Sequence, residues 1–275
     1  MEWSKIKNII LLILLLLNGF LLVIAMGQDQ QRRSSREQAL SQVLQTMEAN
    51  GVTVSRSGLP QGSALYPLQI DRESMQTSRE QAEALLGDCE QREERGGVRM
   101  TYTSAAGWLE SFSNGRLQAE LEEGAVPLNG TATLVHALSV LERLGVDAVL
   151  LSQEDGAQEQ TLTFRQTLDG VPVFGCELTL TYEGGDLRRI EGRRFFGETV
   201  RSGPSEMLNV PTVLIRSLGQ RNETGRMSSE IRSLTAGYQY SGGRPYSLVP
   251  VWCVETDTGT SILDGATGAL RDERR

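Results

Sequence analysis

The chain has 275 residues, 39% hydrophobic and 23% charged, a balance that supports one or two folded domains and not a disordered chain. Its formal net charge of −8 argues against a nucleic-acid surface, because displacing counterions from a phosphate backbone needs a basic footprint. Lys5 and Lys7 are its only lysines, and the arginine-for-lysine habit elsewhere reads as coding bias, without functional weight.

No charged residue occurs from Asn8 to Gln28. At about 1.5 Å per residue, the apolar run from Ile9 to Met26 spans roughly 27 Å, close to the hydrocarbon thickness of a bilayer. One transmembrane helix is therefore expected within a first segment, 1–27. The rival reading is a cleaved signal peptide, since Ala25, Met26 and Gly27 form a small-x-small triplet. Arginines on the far flank match Lys5 and Lys7 on the near one, so local charge does not orient the helix. Large domains translocate largely regardless of local charge, and a cytoplasmic N-terminus with an extracytoplasmic C-terminal domain in the cell membrane is expected.

On a helix, Ser4, Asn8, Leu11, Leu15, Asn18, Leu22 and Ala25 fall on one stripe by steps of four and three. A mid-membrane carboxamide such as that of Asn18 commonly holds one transmembrane helix to another, at about 1 kcal/mol, so the stripe is a candidate partner contact. Alternatively, Asn18 bonds its own helix or meets a polar boundary.

After a connector, 28–35, helical patterns run from Arg36 to Ala49 with Gly51 as the stop, from Ser78 to Leu86 behind a Ser78/Gln81 capping box, from Thr131 to Leu144 before Gly145, and from Ser205 to Leu218 before Gly219. Strand patterns lie between and after them at Val98–Thr103, Leu162–Gln166, Val171–Tyr182, Leu187–Phe195, Tyr246–Thr256 and Thr258–Leu263. A helix followed by antiparallel hairpins, repeated, predicts an α+β fold: one transmembrane helix plus two lobes of antiparallel sheet, each packed by helices. The low-hydrophobicity stretch 120–130 divides a first lobe, 36–123, from a second, 131–275.

The sequence contains no phosphate loop, HExxH or GxSxG pattern, and a single histidine, His136, in mid-helix, where a structural role is expected. Cys89, Cys176 and Cys253 show no paired spacing and read as small buried apolar residues; a Cys176–Cys253 bridge is the alternative. Neither catalysis, a metal nor a cofactor is expected. Arg188, Arg189, Arg193 and Arg194 around Ile190 form a possible patch for an anionic partner, against the plainer reading of a solvated strand face.

Three segments carry a resemblance. Trp3-Ser4-Lys5-x-Lys7 followed by the apolar run with Leu17-Asn18-x-Phe20-Leu21 resembles the opening of the YycI family of membrane-anchored regulators. Gln166, Gly170, Pro172 and Val173 are similar to that family's central hairpin. Leu248 to Thr256 with Ile262 to Gly268 is similar to its closing hairpin and to PepSY-like domains. The resemblance implies a YycI/YycH-like fold and a regulator, without an active site, of a cell-wall two-component system. Its partners would be the sensor histidine kinase WalK (YycG) and a YycH-like companion, met through transmembrane and extracytoplasmic contacts, with Ser4, Asn8 and Asn18 as helix-contact candidates. The other reading is an anchored PepSY-like module that binds or inhibits an extracellular wall hydrolase or peptidase by strand addition.

Overall fold

The computed structural model describes residues 3–271 apart from 61, 63, 72–74, 95, 225–227 and 244; within helices, the side chains of 3–6, 8–10, 12, 21–33, 75–78 and 222–224 are likewise outside the description. The fold is α+β, dominated by a large, mainly antiparallel sheet with few helices.

The first element is α1, Trp3–Ala49, a single helix of 47 residues. At about 1.5 Å per residue it is roughly 70 Å long. The connector expected at 28–35 is part of this helix. Its residues, Gln28-Asp-Gln-Gln-Arg-Arg-Ser-Ser, include no proline or glycine to interrupt the hydrogen-bond ladder. The helix ends where expected. Gly51 takes a left-handed φ of 73°, its N–H bonds Glu48 O at 2.9 Å and the Val52 N–H bonds Met47 O at 2.9 Å, so the last carbonyls are satisfied.

Short strands β1 (Thr53–Val54) and β2 (Leu68–Ile70) follow, and then a pattern of one helix and four strands occurs three times. The first unit is α2 (Met75–Leu86) with β3 (Glu90–Glu94), β4 (Arg99–Ser104), β5 (Gly107–Phe112) and β6 (Arg116–Leu121). The second is α3 (Thr133–Arg143) with β7 (Ala148–Asp155), β8 (Glu159–Leu168), β9 (Val171–Glu183) and β10 (Asp186–Arg193). After β11 (Thr199–Arg201) comes the third, α4 (Val210–Thr224) with β12 (Glu230–Ser241), β13 (Ser247–Thr256), β14 (Gly259–Asp264) and β15 (Leu270–Arg271).

The first two units meet through their last strands. β6 pairs antiparallel with β10, placing Ala119 beside Ile190, and the ladder runs β3-β4-β5-β6-β10-β9-β8-β7. Apolar residues of α2 (Ala82, Leu85, Leu86) and α3 (Ala137, Val140, Leu141) fill one core with Leu117, Ala119, Leu162, Phe164 and Ile190 from the strands. The stretch 120–130 therefore does not separate two sheets: strands on either side of it share a ladder and a core. The third unit pairs β12-β13-β14-β15 in order, and β12 joins β9 in parallel at Tyr238 with Val173 and Gln239 with Phe174.

Two helix starts differ from expectation. α2 begins at Met75, ahead of the Ser78/Gln81 pair; the Ser78 side chain lies outside the described residues, and Gln81 serves elsewhere, as shown below. α4 begins at Val210, not Ser205. The Asn209 side chain accepts the Thr212 N–H at 3.0 Å, capping the helix, and Pro211 sits in the first turn, where its missing N–H costs nothing. The helix passes through Gly219 to Thr224.

Candidate functional site

The C-terminal part of α1 is built into the third unit. Leu40, Val43, Leu44 and Met47 recur at helical spacing and pack in one core with Val213, Leu214 and Leu218 of α4 and with Ile231, Leu234, Trp252 and Val254 of the sheet. Met47 is buried, and Arg221 of α4 donates to Asn50 O at 3.3 Å just beyond the end of α1. The N-terminal part is the opposite. Leu11 and every residue from Ile13 to Phe20 are exposed, so no side of the helix there is covered by the chain's own core. Among the described residues no helix is long and apolar enough to cross a membrane. Of the predicted stripe, Leu11, Leu15 and Asn18 are exposed; Ser4, Asn8, Leu22 and Ala25 lie outside the described residues.

The four arginines around Ile190 do not form one patch. Arg194 is only 3% exposed: it donates to Leu144 O at 3.3 Å and to Gln81 Oε1 at 2.7 Å, tying the loop after β10 to α3 and α2. Arg189 is exposed and lies 3.9 Å from Glu120 across the strand pair. Arg188 is half-buried, on the strand's irregular stretch between Leu187 and Arg189, where the pairing with β9 shifts. Arg193 is half-buried and lines a cleft.

That cleft, of about 860 Å³, opens where the third unit joins the other two. Gly175, at a φ of 80°, lies in β9 between Phe174, which pairs with β12, and Leu178, which pairs with β10. Its walls include Arg165, Glu177, Gln239, Tyr240, Thr260 and Arg271. Arg165 holds Glu177 at 2.7 Å and stacks over the Phe174 ring at 4.8 Å. Arg271 holds Asp264 at 2.8 Å and donates to Gln239 at 2.5 Å. Burial alone would raise the Asp264 pKa, but the Thr267 and Ala266 N–H groups and Arg271 hold it below the usual carboxylate value. Among the described residues of the cleft, two of the three cations are thus committed to acids.

No family model matches the sequence, and no curated protein matches it. Among solved structures, the fold is similar to that of an uncharacterized protein from Eubacterium rectale, with a TM-score of 0.51 at 12% identity, covering 81% of this chain and 90% of that one. A looser likeness is to the Bacillus megaterium YpeB C-terminal domain, with a TM-score of 0.38 at 10% identity, covering 73% of this chain and 96% of that one. At such identities the first likeness is one of fold alone.

Other polar residues singled out by the sequence sit within the fold. Cys89, Cys176 and Cys253 are buried and not in disulfides; Cys176 and Cys253 belong to different apolar clusters, and the bridge is not formed. Among the described residues no three metal-ligating side chains come together. His136 Nδ1 lies 3.0 Å from the Tyr182 hydroxyl, edge-on to its ring. Burial, and secondarily the Arg143 guanidinium, push the His136 pKa below the ordinary histidine value. A depressed folded-state pKa means that the neutral ring fits, so the linked stability is present above about pH 6.5 and is lost as pH falls toward the lowered value. In urea titrations between pH 8 and 5, His136→Gln is expected to lose less stability below pH 6.5 than the parent; equal losses would mean that this ring does not contribute.

Proposed function

We propose that this chain is a membrane-anchored extracytoplasmic regulator that biases a two-component sensor histidine kinase of the WalK (YycG) type, in company with a YycH-like partner. The observation that carries this reading is the continuity of α1, which runs without a break from an apolar, uncovered segment into the core of the third unit. Uncovered leucine and isoleucine on all sides of a helix need lipid or a partner to cover them. The run from Ile9 to Met26 is long enough for a bilayer, and exposed Asn18 offers a carboxamide for a neighbouring helix. The domain bonded to such a rod moves with it, and a regulator that makes different contacts with two kinase states shifts the balance between them.

The test is complementation of a deletion strain with three forms: the full chain, residues 28–275 exported without the helix, and the helix 1–35 alone. The regulator reading expects kinase control from the full chain and none from the exported domain. Full control by the exported domain would overturn it.

A second reading rests on β7. Among the described residues it is an outer strand of the ladder, paired only with β8, and it exposes Val149, Leu150 and Leu151. Such an edge is a template for strand addition by an extracellular hydrolase or peptidase, the anchored PepSY-like inhibitor alternative. Retention of a wall hydrolase by the full chain, lost in Leu151→Lys, would favour it.

A further inference from the structure

We propose that the cleft between the third unit and the other two is a binding site for a small polar ligand carrying a carboxylate or phosphate oxyanion, with Arg193 as its principal contact. Along the β6–β10 seam, Arg189 faces Glu120 and Glu191 faces Gln118, ordinary complementary neighbours, but Arg193 faces Arg116. Like charges directly opposite in a strand pair are destabilising, and an anion bound by Arg193 in the cleft offsets that repulsion.

Among the described residues no acid answers this pair. Among the described residues neither Arg193 nor Arg116 makes an ion pair; Arg116 lies over the Phe112 ring at 5.5 Å instead. The other two arginines of the cleft are already neutralised by Glu177 and Asp264. Glu255, on the cleft wall, accepts a hydrogen bond from Ser233 at 2.6 Å and adds one negative charge to the lining. That charge selects for a ligand with a single localised anionic group over a polyanion.

Arg193 is also held in place. A side chain at Gly115 would come within 3.3 Å of the Arg193 stem and 2.9 Å of the Tyr240 ring, so the β5–β6 turn packs on both and positions them at the cleft wall. Beyond the guanidinium, Gln239, Tyr240, Ser241 and Thr260 offer amide and hydroxyl groups, and a volume of about 860 Å³ takes a ligand of sugar or short-peptide size. The cleft lies on the face of the sheet opposite the helices: Cys253 and Glu255 line it, whereas the alternating Trp252 and Val254 pack in the core with α4 and α1. A ligand there is one sheet away from the long helix.

The experiment is calorimetric titration of the full-length chain in detergent with glycerol phosphate, with glucuronate, and with glycerol as the neutral control. The site expects saturable binding of at least one anion and none of glycerol; binding of glycerol phosphate alone makes the ligand a phosphate ester, and of glucuronate alone an acidic sugar. Arg193→Gln should weaken binding at least tenfold and Arg193→Lys less, while Arg189→Gln, on the exposed strand beside Glu120, should leave it unchanged. Circular dichroism of each variant guards against misfolding. Absence of anion binding, or equal binding by parent and a folded Arg193→Gln, overturns the proposal. Since the readout is binding alone, it stands or falls apart from kinase control.

Discussion

Replacing Trp252 by alanine is expected to destabilise the protein by about 3–5 kcal/mol, the range for emptying a large aromatic site in a packed core. Trp252 is fully buried in the cluster that joins α1, α4 and the third-unit sheet. It pairs with Ala236 on one side and Leu263 on the other, and its indole N–H donates to Leu208 O at 3.1 Å. Truncation therefore leaves a cavity beneath both helices and an orphaned carbonyl. Trp252→Phe keeps most of the volume and loses the hydrogen bond, so it should cost distinctly less. Urea denaturation followed by circular dichroism gives both values; a loss below about 1 kcal/mol for the alanine variant would show that the cavity collapses freely and that this core does not hold α1.

The second large effect concerns the middle of α1. Ser35 is exposed, lies between the uncovered segment and the docked one, and belongs to the unbroken helix. Proline there removes a backbone hydrogen bond and drives its ring against the preceding turn, at about 3 kcal/mol, with no tertiary contact at that side chain to lose. On the proposed reading, with the N-terminal half in the membrane and the C-terminal half docked in the core, the expected result is a folded, membrane-retained protein whose kinase control falls to the level of the deletion strain. Ser35→Ala, which keeps the helix, should retain control. Full control by Ser35→Pro would mean that the rod does not transmit anything.

Much of the fold was legible in the sequence, for local reasons. Gly51 and Gly145 end helices because only glycine takes the left-handed closing conformation cheaply, and the alternating runs at Val171–Tyr182 and Tyr246–Thr256 could bury one face only as strands. The rest depended on non-local partners. Glu90–Glu94 carries no apolar alternation, since it is an edge strand supported by β4 alone. The polar residues at 28–35 looked like a linker because composition does not distinguish an exposed stretch of helix from a loop. The joining of the first two units rests on β6 pairing with β10, a contact between residues far apart in the chain.

The candidate site was less visible still. Arg193 and Arg194 are neighbours in sequence, yet strand alternation sends one to the cleft and the other into the interior between Gln81 and Leu144. A charge cluster on a strand therefore overstates any surface patch by the residues that point the other way. The signal that matters, Arg193 opposite Arg116, exists only once the register is known.

The central claim is that one rigid helix links the apolar segment to the domain. It is tested by electron-electron distance measurement on the full chain in lipid nanodiscs, with spin labels at the exposed positions Phe20 and Ser41 and the native cysteines replaced by alanine. An unbroken helix predicts a narrow distribution near 32 Å, about 1.5 Å for each residue of separation, and Ser35→Pro should shorten and broaden it. A broad distribution in the parent, indistinguishable from that of the proline variant, would contradict the account.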